Sequence, residues 1–135
     1  MRLRFSRTAD YGLRAALEVA RAPDGQLVTR HAIARATDAP SSVLAQSLAG
    51  LVRGGLLAAQ AGPRGGYRLA RAAGEISIHD IVLAIDGEEP EERCVLHERA
   101  CSSTGPCPFH AFLIAAQDRF LDTLRTTTLA DVMRV

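Results

Sequence analysis

Three cysteines in the second half of the chain are the residues with the clearest chemical potential. Cys94, Cys101 and Cys107 are followed by His110, in the spacing Cys-x6-Cys-x5-Cys-x2-His. Structural zinc sites usually start from two ligands about two to four residues apart. Wider spacing suits an iron–sulfur cluster, whose irons lie farther apart than the ligands of a single ion. The spacing therefore favours a cluster and leaves two alternatives, a zinc site with three cysteines and one histidine, and three unrelated thiols.

The segment that carries these cysteines is expected to be a functional loop. It runs from Glu88 to Cys107, is rich in glutamate at its start and shows no apolar periodicity. Loops of about twenty residues are uncommon in compact domains unless they are functional, and a bound metal would order this one. Since three cysteines cannot form a closed set of disulfides, the cluster of thiols indicates metal or redox chemistry in a reducing compartment. The expected location is cytoplasmic.

Charge is divided unevenly between the two halves of this 135-residue chain. Residues 1–71 carry eleven arginines against four acidic residues, a net charge of +7, whereas residues 72–135 carry five arginines against eleven acidic residues, a net charge of −6. The asymmetry indicates that the first half faces a polyanion, unless it is only an uneven solvated surface. All sixteen basic residues are arginines, which excludes a Walker A loop, Schiff-base chemistry and a lysine general base.

Hydrophobic periodicity predicts three helices in the first half. Apolar residues at helical spacing between residues 9 and 20 define the first of them. Thr29 is the expected N-cap of the second helix, and Ser41 or Ser42 is the expected N-cap of the third. Only residues 38–40 separate the second helix from the third. Two short helices joined by so tight a turn predict a helix-turn-helix.

Two short apolar stretches then flank a glycine-rich turn. Leu56–Gln60 and Tyr67–Ala70 are the expected strands, and residues 61–66 read Ala-Gly-Pro-Arg-Gly-Gly. This pattern predicts a β-hairpin, and a hairpin that follows a helix-turn-helix forms the wing of a winged helix. A phosphate-binding loop is the alternative, but its lysine-containing ending is missing and no helix starts directly after the turn.

The second half of the chain predicts two further helices. Ser77 and Asp80 form a capping box for the first, which closes at Gly87. The second starts at Pro108 and carries a long apolar stripe of Phe109, Phe112, Leu113, Ala116, Phe120 and Leu124. One small domain cannot cover such a stripe, so we expect this helix to pack against a second subunit.

These elements predict a mainly α fold with a small β-hairpin wing, that is, a winged helix-turn-helix followed by a long C-terminal dimerisation helix. The expected divisions are 1–74 for the DNA-binding domain, 75–107 for a connecting helix and the cysteine-rich loop, and 108–135 for the dimerisation helix and C-terminal tail. No apolar run approaches the ~20 residues of a membrane helix, and the N-terminus does not resemble a secretory signal. No membrane partner is expected.

The chain combines several distinctive motifs, namely Met1-Arg2-Leu3, Asp10-Tyr11-Gly12-Leu13-Arg14-Ala15, Gly62-Pro63-Arg64-Gly65-Gly66-Tyr67-Arg68-Leu69-Ala70, the three-cysteine loop and Thr128-Leu129-Ala130-Asp131-Val132. These motifs resemble the Rrf2 family of bacterial transcription regulators, with its IscR-like and NsrR-like members, and the last of them recurs in the NsrR-like branch. The resemblance covers nearly the whole chain. It implies a homodimer that binds a double-stranded DNA operator, is not an enzyme, and holds an iron–sulfur cluster (2Fe-2S or 4Fe-4S) with the three cysteines.

The resemblance leaves the fourth cluster ligand and the operator open. His110 matches the IscR-like histidine, whereas Asp10 matches an aspartate that NsrR-like proteins supply from the first helix of the second subunit. One extra residue between Cys94 and Cys101 departs from the family pattern, which leaves the cluster type open. Ala45 replaces a glutamate of the IscR recognition helix, so a carboxylate that accepts from cytosine N4 is missing.

The sequence thus predicts a dimeric repressor whose affinity for a palindromic operator depends on its cluster, with redox state, iron–sulfur supply or nitric oxide as the signal. We expect Ser41, Ser42 and Gln46 to contact base edges. Arg30 and Arg53 are expected to bind phosphates, and Arg64 is expected to enter the minor groove. Arg2 is expected to make a further contact with DNA. Two other classes stay open, a cluster-free or zinc-bound winged-helix regulator and an iron–sulfur protein of electron transfer or redox catalysis.

Overall fold

The computed structural model describes residues 5–88 and 109–135. In chain order, the elements of these two ranges are helices α1 Arg7–Arg21, α2 Arg30–Thr37 and α3 Ser41–Arg53, strands β1 Leu57–Gln60 and β2 Gly66–Leu69, a 3-10 turn Ala73–Glu75, and helices α4 Ile78–Asp86, α5 His110–Thr126 and α6 Leu129–Met133. The mainly helical fold with one antiparallel hairpin agrees with the predicted winged helix-turn-helix. None of the helices described is long and apolar enough to cross a membrane.

Side-chain caps fix the starts of the first two helices. The Ser6 hydroxyl accepts from the Ala9 N–H at 3.0 Å, and the Thr29 hydroxyl accepts from the Ala32 N–H at 3.1 Å. Each bond satisfies one of the amide donors that the first turn of a helix leaves without a partner. The expected role of Thr29 is thereby confirmed.

The expectation that Ser41 or Ser42 caps α3 is wrong. Pro40 occupies the N-cap position, with φ −56° and ψ 140° and no capping side chain, and Ser41 is already helical. A proline fits here because its ring fixes φ in the range that leads into a helix, and its missing N–H is not needed there. As a result, the hydroxyl groups of Ser41 and Ser42 lie exposed in the first turn of α3.

The turn between α2 and α3 and the core beneath it define the helix-turn-helix. Asp38 closes α2 in the left-handed conformation (φ 52°), so the chain reverses within residues 38–40. Ile33 of α2 and Leu44 and Leu48 of α3 are at most 1% exposed and pack into the same core. Fully burying a side chain of this kind contributes about 1.5–3 kcal/mol, so these contacts hold the two helices together.

The β-hairpin is attached to the helical domain by an isolated β-bridge. β1 and β2 pair from Leu57 with Leu69 to Gln60 with Gly66, and Val28 exchanges two backbone hydrogen bonds of 2.8 Å with Tyr67. Gly66 has φ +152°, and a Cβ there would lie 2.6 Å from the Val28 carbonyl oxygen. Glycine is therefore required where the hairpin meets the loop before α2.

The end of the chain packs back onto the segment before α4. The Leu129 N–H donates to the Ile76 carbonyl and the Ile78 N–H donates to the Thr127 carbonyl, both at 2.9 Å. Leu129 and Ile76 are both 0% exposed. The C-terminal tail predicted here therefore contains a short helix, α6, whose Leu129 belongs to the core.

A capping box at the start of α6 gives a pH-dependent prediction. The Thr128 N–H donates to Asp131 Oδ2 at 2.9 Å, and the Asp131 N–H donates to Thr128 Oγ1 at 3.2 Å. The backbone hydrogen bond from Thr128, with a smaller effect from its side chain, lowers the pKa of Asp131 below its ordinary value. Its stabilising contribution is therefore full above the ordinary carboxyl pKa and is lost as the pH falls through the lowered pKa.

An NMR titration of the Asp131 carboxyl carbon measures this effect. We expect a pKa below the ordinary value in the wild type and a higher pKa in Thr128→Ala, which removes the hydroxyl group but keeps the backbone N–H. An ordinary pKa in the wild type would show that the capping box does not form in solution.

Candidate nucleic-acid interface

Helix α3 presents a polar stripe to solvent. Ser42, Gln46, Ala49 and Arg53 follow each other at i, i+4, i+7 and i+11, and all four are exposed. This spacing places them on one side of a helix. With Ser41 in the same first turn, the stripe offers hydroxyl, amide and guanidinium groups, which are the groups that hydrogen-bond to base edges and phosphates.

The opposite face of α3 fixes its orientation. Leu44, Leu48 and Leu51 are buried in the core, and Ser47 between them is 0% exposed. The Ser47 hydroxyl donates to the Thr8 carbonyl of α1 at 2.7 Å, which satisfies its only donor. Because one face is locked into the core, the polar stripe faces outward in a defined direction.

Three arginines surround this stripe at the ends of the elements. Arg30 is the first residue of α2, Arg53 is the last residue of α3, and Arg64 lies in the turn of the hairpin. All three are exposed, and none forms an ion pair with an acidic residue within the parts of the chain that are described. Exposed cations without an acidic partner are free to neutralise phosphates.

The hairpin turn that carries Arg64 is tightly built. The Gly65 N–H donates to the Gly62 carbonyl at 2.9 Å, and Gly62 has φ +103°. A Cβ at Gly65 would collide with the carbonyl of Gln60. The glycines thus close the turn, and Arg64 extends from its tip.

Two further arginines belong to the same exposed basic set and were missed by the sequence analysis. Arg35 lies on α2, and Arg68 lies on β2 opposite Ala58, and both are exposed. The sequence pattern that could have identified Arg68 is its position between Tyr67 and Leu69. Successive side chains of a strand point to opposite faces, so Arg68 is exposed while Tyr67 and Leu69 are partly buried. Arg2, which was expected to contact DNA, lies outside the described residues.

Of the expected cluster ligands, two belong to the described residues. The Asp10 carboxylate on α1 pairs with Arg14 at 3.0 Å and is 46% exposed, and His110 is the first residue of α5. Cys94, Cys101 and Cys107 lie outside the described residues. Within residues 5–88 and 109–135, no group of three or more His, Cys, Asp or Glu side chains is placed to hold a metal ion.

The donor set as a whole fits an iron–sulfur cluster in its chemistry. Thiolates are the standard ligands of such clusters, and a histidine replaces a cysteine in some of them. Asp10 is placed differently, because its carboxylate already accepts from the Arg14 guanidinium. A bond from Asp10 to iron would need that carboxylate to share its lone pairs with Arg14 or to release it.

The start of α5 has an exposed apolar surface, formed by its N-cap residue Phe109 and by Phe112 in its first turn. Phe109 is 53% exposed and Phe112 is 68% exposed. Farther along the helix, Phe120 lies 6.2 Å from the ring of Phe5 and Leu124 is 8% exposed. The apolar stripe is therefore covered at its C-terminal end and uncovered at its N-terminal end.

A helix-turn-helix with a polar recognition helix, a wing and a surrounding set of exposed arginines defines the class of winged-helix transcription regulators. The model of the Rrf2 family, described as iron-dependent transcriptional regulators, matches residues 5–135. The chain belongs to the Rrf2 family.

Known relatives and solved structures agree with this assignment. The proteins named "Putative HTH-type transcriptional regulator" MT1325 and Rv1287, from two strains of Mycobacterium tuberculosis, are each 32% identical over 137 residues, covering 96% of this chain and 81% of theirs.

Three solved structures share the fold. CymR of B. subtilis, described as its global cysteine regulator, has a TM-score of 0.78 at 22% identity, covering 97% of this chain and 96% of its own. CymR of Staphylococcus aureus has a TM-score of 0.78 at 25% identity, covering 96% and 98%. IscR of T. potens has a TM-score of 0.74 at 24% identity, covering 97% and 86%.

Proposed function

We propose that this chain is a homodimeric, cytoplasmic repressor whose binding to a DNA operator is controlled by an iron–sulfur cluster. The observation that carries the DNA-binding part is the exposed polar stripe of α3, flanked by arginines that have no acidic partner among the described residues. Its polarity and charge match a duplex, which presents phosphates beside base edges. No role in this account requires catalysis, and family members are described as transcriptional regulators.

Each part of the interface has a distinct role in the proposal. Residues at the start of α3 approach base edges in the major groove, where a recognition helix reads sequence. The arginines at the helix ends bind phosphates, and the arginine of the hairpin turn enters the minor groove. The proposed base contacts are Ser41, Ser42 and Gln46, and the proposed backbone or minor-groove contacts are Arg2, Arg30, Arg53 and Arg64.

The exposed apolar surface of α5 supports the proposed homodimer. Phe109 and Phe112 would be covered by the same helix of a second copy. Removing aromatic side chains from water is favourable at about 25 cal/mol per Å² of apolar surface, so this surface favours association. Two-fold symmetry would then place two recognition helices on two half-sites of a palindromic operator.

Cys94, Cys101 and Cys107 would supply three thiolate ligands to the cluster. When bound, a cluster supplies a metal centre that reacts to redox state, iron–sulfur supply or nitric oxide. The wide spacing of the cysteines and the family's description as iron-dependent support this assignment. One alternative is a regulator that holds zinc or free thiols, which would keep the same DNA-binding surface but would not sense through an iron–sulfur cluster. A second alternative, an iron–sulfur redox protein, would leave the DNA-binding surface without a role.

Arginine substitutions test the DNA-binding assignment. Arg64→Ala is expected to weaken binding to the preferred duplex by about 1 to 3 kcal/mol and to weaken other sequences less, because it removes a groove contact. Arg53→Ala is expected to weaken all sequences alike, since a phosphate contact carries no base information. Fluorescence anisotropy titrations with preferred and scrambled duplexes measure both effects.

Arg134→Ala is the matched control for these substitutions, because Arg134 is exposed near the C-terminus and pairs with Asp131. We expect it to bind both duplexes like the wild type. If Arg64→Ala kept the affinity and sequence preference of the wild type, the wing assignment would be wrong.

His110 is the favoured fourth cluster ligand. It follows Cys107 by three positions in the same chain, and it begins α5. Asp10 would have to be supplied by a second subunit. We therefore expect His110→Ala to alter the visible spectrum of the cluster and Asp10→Ala to leave it unchanged, in anaerobically purified protein. An unaltered His110→Ala spectrum together with an altered Asp10→Ala spectrum would reverse the assignment.

A further inference from the structure

The last turn of α4 lies against three glycines, one in α1, one in α3 and one directly after α3. A Cβ at Gly54 would lie 2.6 Å from the Cβ of Ala84, and a Cβ at Gly50 would lie 3.1 Å from the Ala84 carbonyl oxygen. On α1, a Cβ at Gly12 would collide with the side chain of Ile85. The three glycines thus form a seat, hereafter the glycine seat, in which α4 approaches the backbones of α1 and α3.

Close approach is the physical reason for glycine at these positions. None of the three has a positive φ, so the backbone conformation does not require glycine. Gly12 and Gly50 lie inside helices, where glycine is less favourable than alanine. The space taken by Ala84 accounts for the missing side chains at Gly50 and Gly54, whereas at Gly12 the close atom is Cδ1, the flexible end of the Ile85 side chain.

Hydrogen bonds tie the same turn of α4 to α1, and α1 to α3. The Ser6 hydroxyl donates to Asp86 Oδ1 at 2.6 Å while accepting from the Ala9 N–H. Two residues further along the chain, the Thr8 carbonyl accepts from the buried Ser47 hydroxyl of α3 at 2.7 Å. The last turn of α4 therefore reaches α3 by direct packing and through the first turn of α1.

We propose that the glycine seat sets the position of the recognition helix, so that a shift of the last turn of α4 changes operator affinity. Packed helix contacts of this kind adopt discrete arrangements rather than deforming smoothly. After Gly87 the chain continues into the segment that carries the three cysteines. A change in that segment would therefore be able to act on the last turn of α4 through the connecting chain. This inference rests on the proposed function, because its main readout is DNA binding.

A steric exchange across the seat tests the proposal. Gly54→Ala is expected to weaken operator affinity about 2- to 30-fold, the range found for residues that modulate coupling between sites. The double variant Gly54→Ala/Ala84→Gly removes the opposing Cβ and is expected to restore the affinity. Gly74→Ala is the control, because a Cβ there has only the Ala130 Cβ within 4.0 Å. The assay is a titration of full-length protein with a duplex selected from a random-sequence pool.

Two outcomes of the DNA titration would overturn the proposal. In the first, Gly54→Ala binds the duplex with wild-type affinity. In the second, the double variant binds as weakly as Gly54→Ala, which would assign the loss of affinity to a local effect at residue 54. Should Gly54→Ala fail to fold, Asp86→Ala takes its place with Asp86→Asn as the conservative partner. The asparagine amide oxygen still accepts from Ser6, so only the alanine variant is expected to lose affinity.

Amide hydrogen exchange separates failure of this proposal from failure of the proposed function. A wild-type protein that binds no duplex would reject the DNA-binding function. The glycine seat would then be judged by exchange in α3, which we expect to be faster in Gly54→Ala and restored in the double variant. Unchanged exchange in Gly54→Ala would overturn the role of the seat whatever the DNA result.

Discussion

Replacing Cys94, Cys101 or Cys107 with alanine is expected to remove nearly all bound iron and acid-labile sulfide from anaerobically purified protein. Thiolate bonds supply most of the binding energy of such a site, and metal binding is coupled to the folding of the segment that provides the ligands. Two remaining cysteines cannot replace the third. Iron and sulfide analysis of the three variants, normalised to protein, measures the effect.

Ser103→Ala is the matched control, because it lies in the same segment and removes a hydroxyl group rather than a thiol. We expect it to keep the wild-type content. A full complement of iron and sulfide in any one cysteine variant would remove that residue from the ligand set. Wild-type protein that holds zinc and no sulfide would instead support the zinc-bound alternative.

Operator binding is expected to fall steeply with salt. If Arg30 and Arg53 each neutralise one phosphate in both protomers, about four counterions are released on binding. The affinity should then fall about 10²-fold between about 50 mM and 200 mM salt. Titrations at four or five salt concentrations give the slope of log K against log salt concentration.

The Arg53→Ala variant tests the source of this slope. It removes one proposed phosphate contact from each protomer, so the slope should become shallower by about 1.8. Arg134→Ala should leave the slope unchanged. An affinity that is independent of salt in the wild type would show that the exposed arginines do not face phosphates.

The helix-turn-helix and its wing could be predicted because their signals are local. Thr29 is an N-cap whose partner, the Ala32 N–H, lies three residues away. In the hairpin, Gly62 and Gly66 have a positive φ, which is a property of the turn itself. The predicted N-cap of α3, Ser41 or Ser42, lies one or two residues after the observed N-cap, Pro40. Local rules rank side-chain caps highly, but a proline at this position needs none.

Features that depend on tertiary contacts could not be predicted in the same way. Helix α6 is short, and its place in the core depends on Leu129 packing beside Ile76, which is distant in sequence. The role of Gly50 and Gly54 depends likewise on where α4 crosses α3. In the candidate site, helix and turn patterns were enough to predict that Gln46 and Arg64 are exposed. The same patterns could not predict that Arg64 has no acidic partner among the described residues.

One measurement tests the central claim, that an iron–sulfur cluster controls operator binding. A single selected duplex is titrated with cluster-loaded protein and with cluster-free protein, both anaerobic and at the same salt concentration and pH. We predict that the two dissociation constants differ by about 5- to 150-fold, the range of coupling between two linked sites. Equal dissociation constants for the two forms would contradict the account.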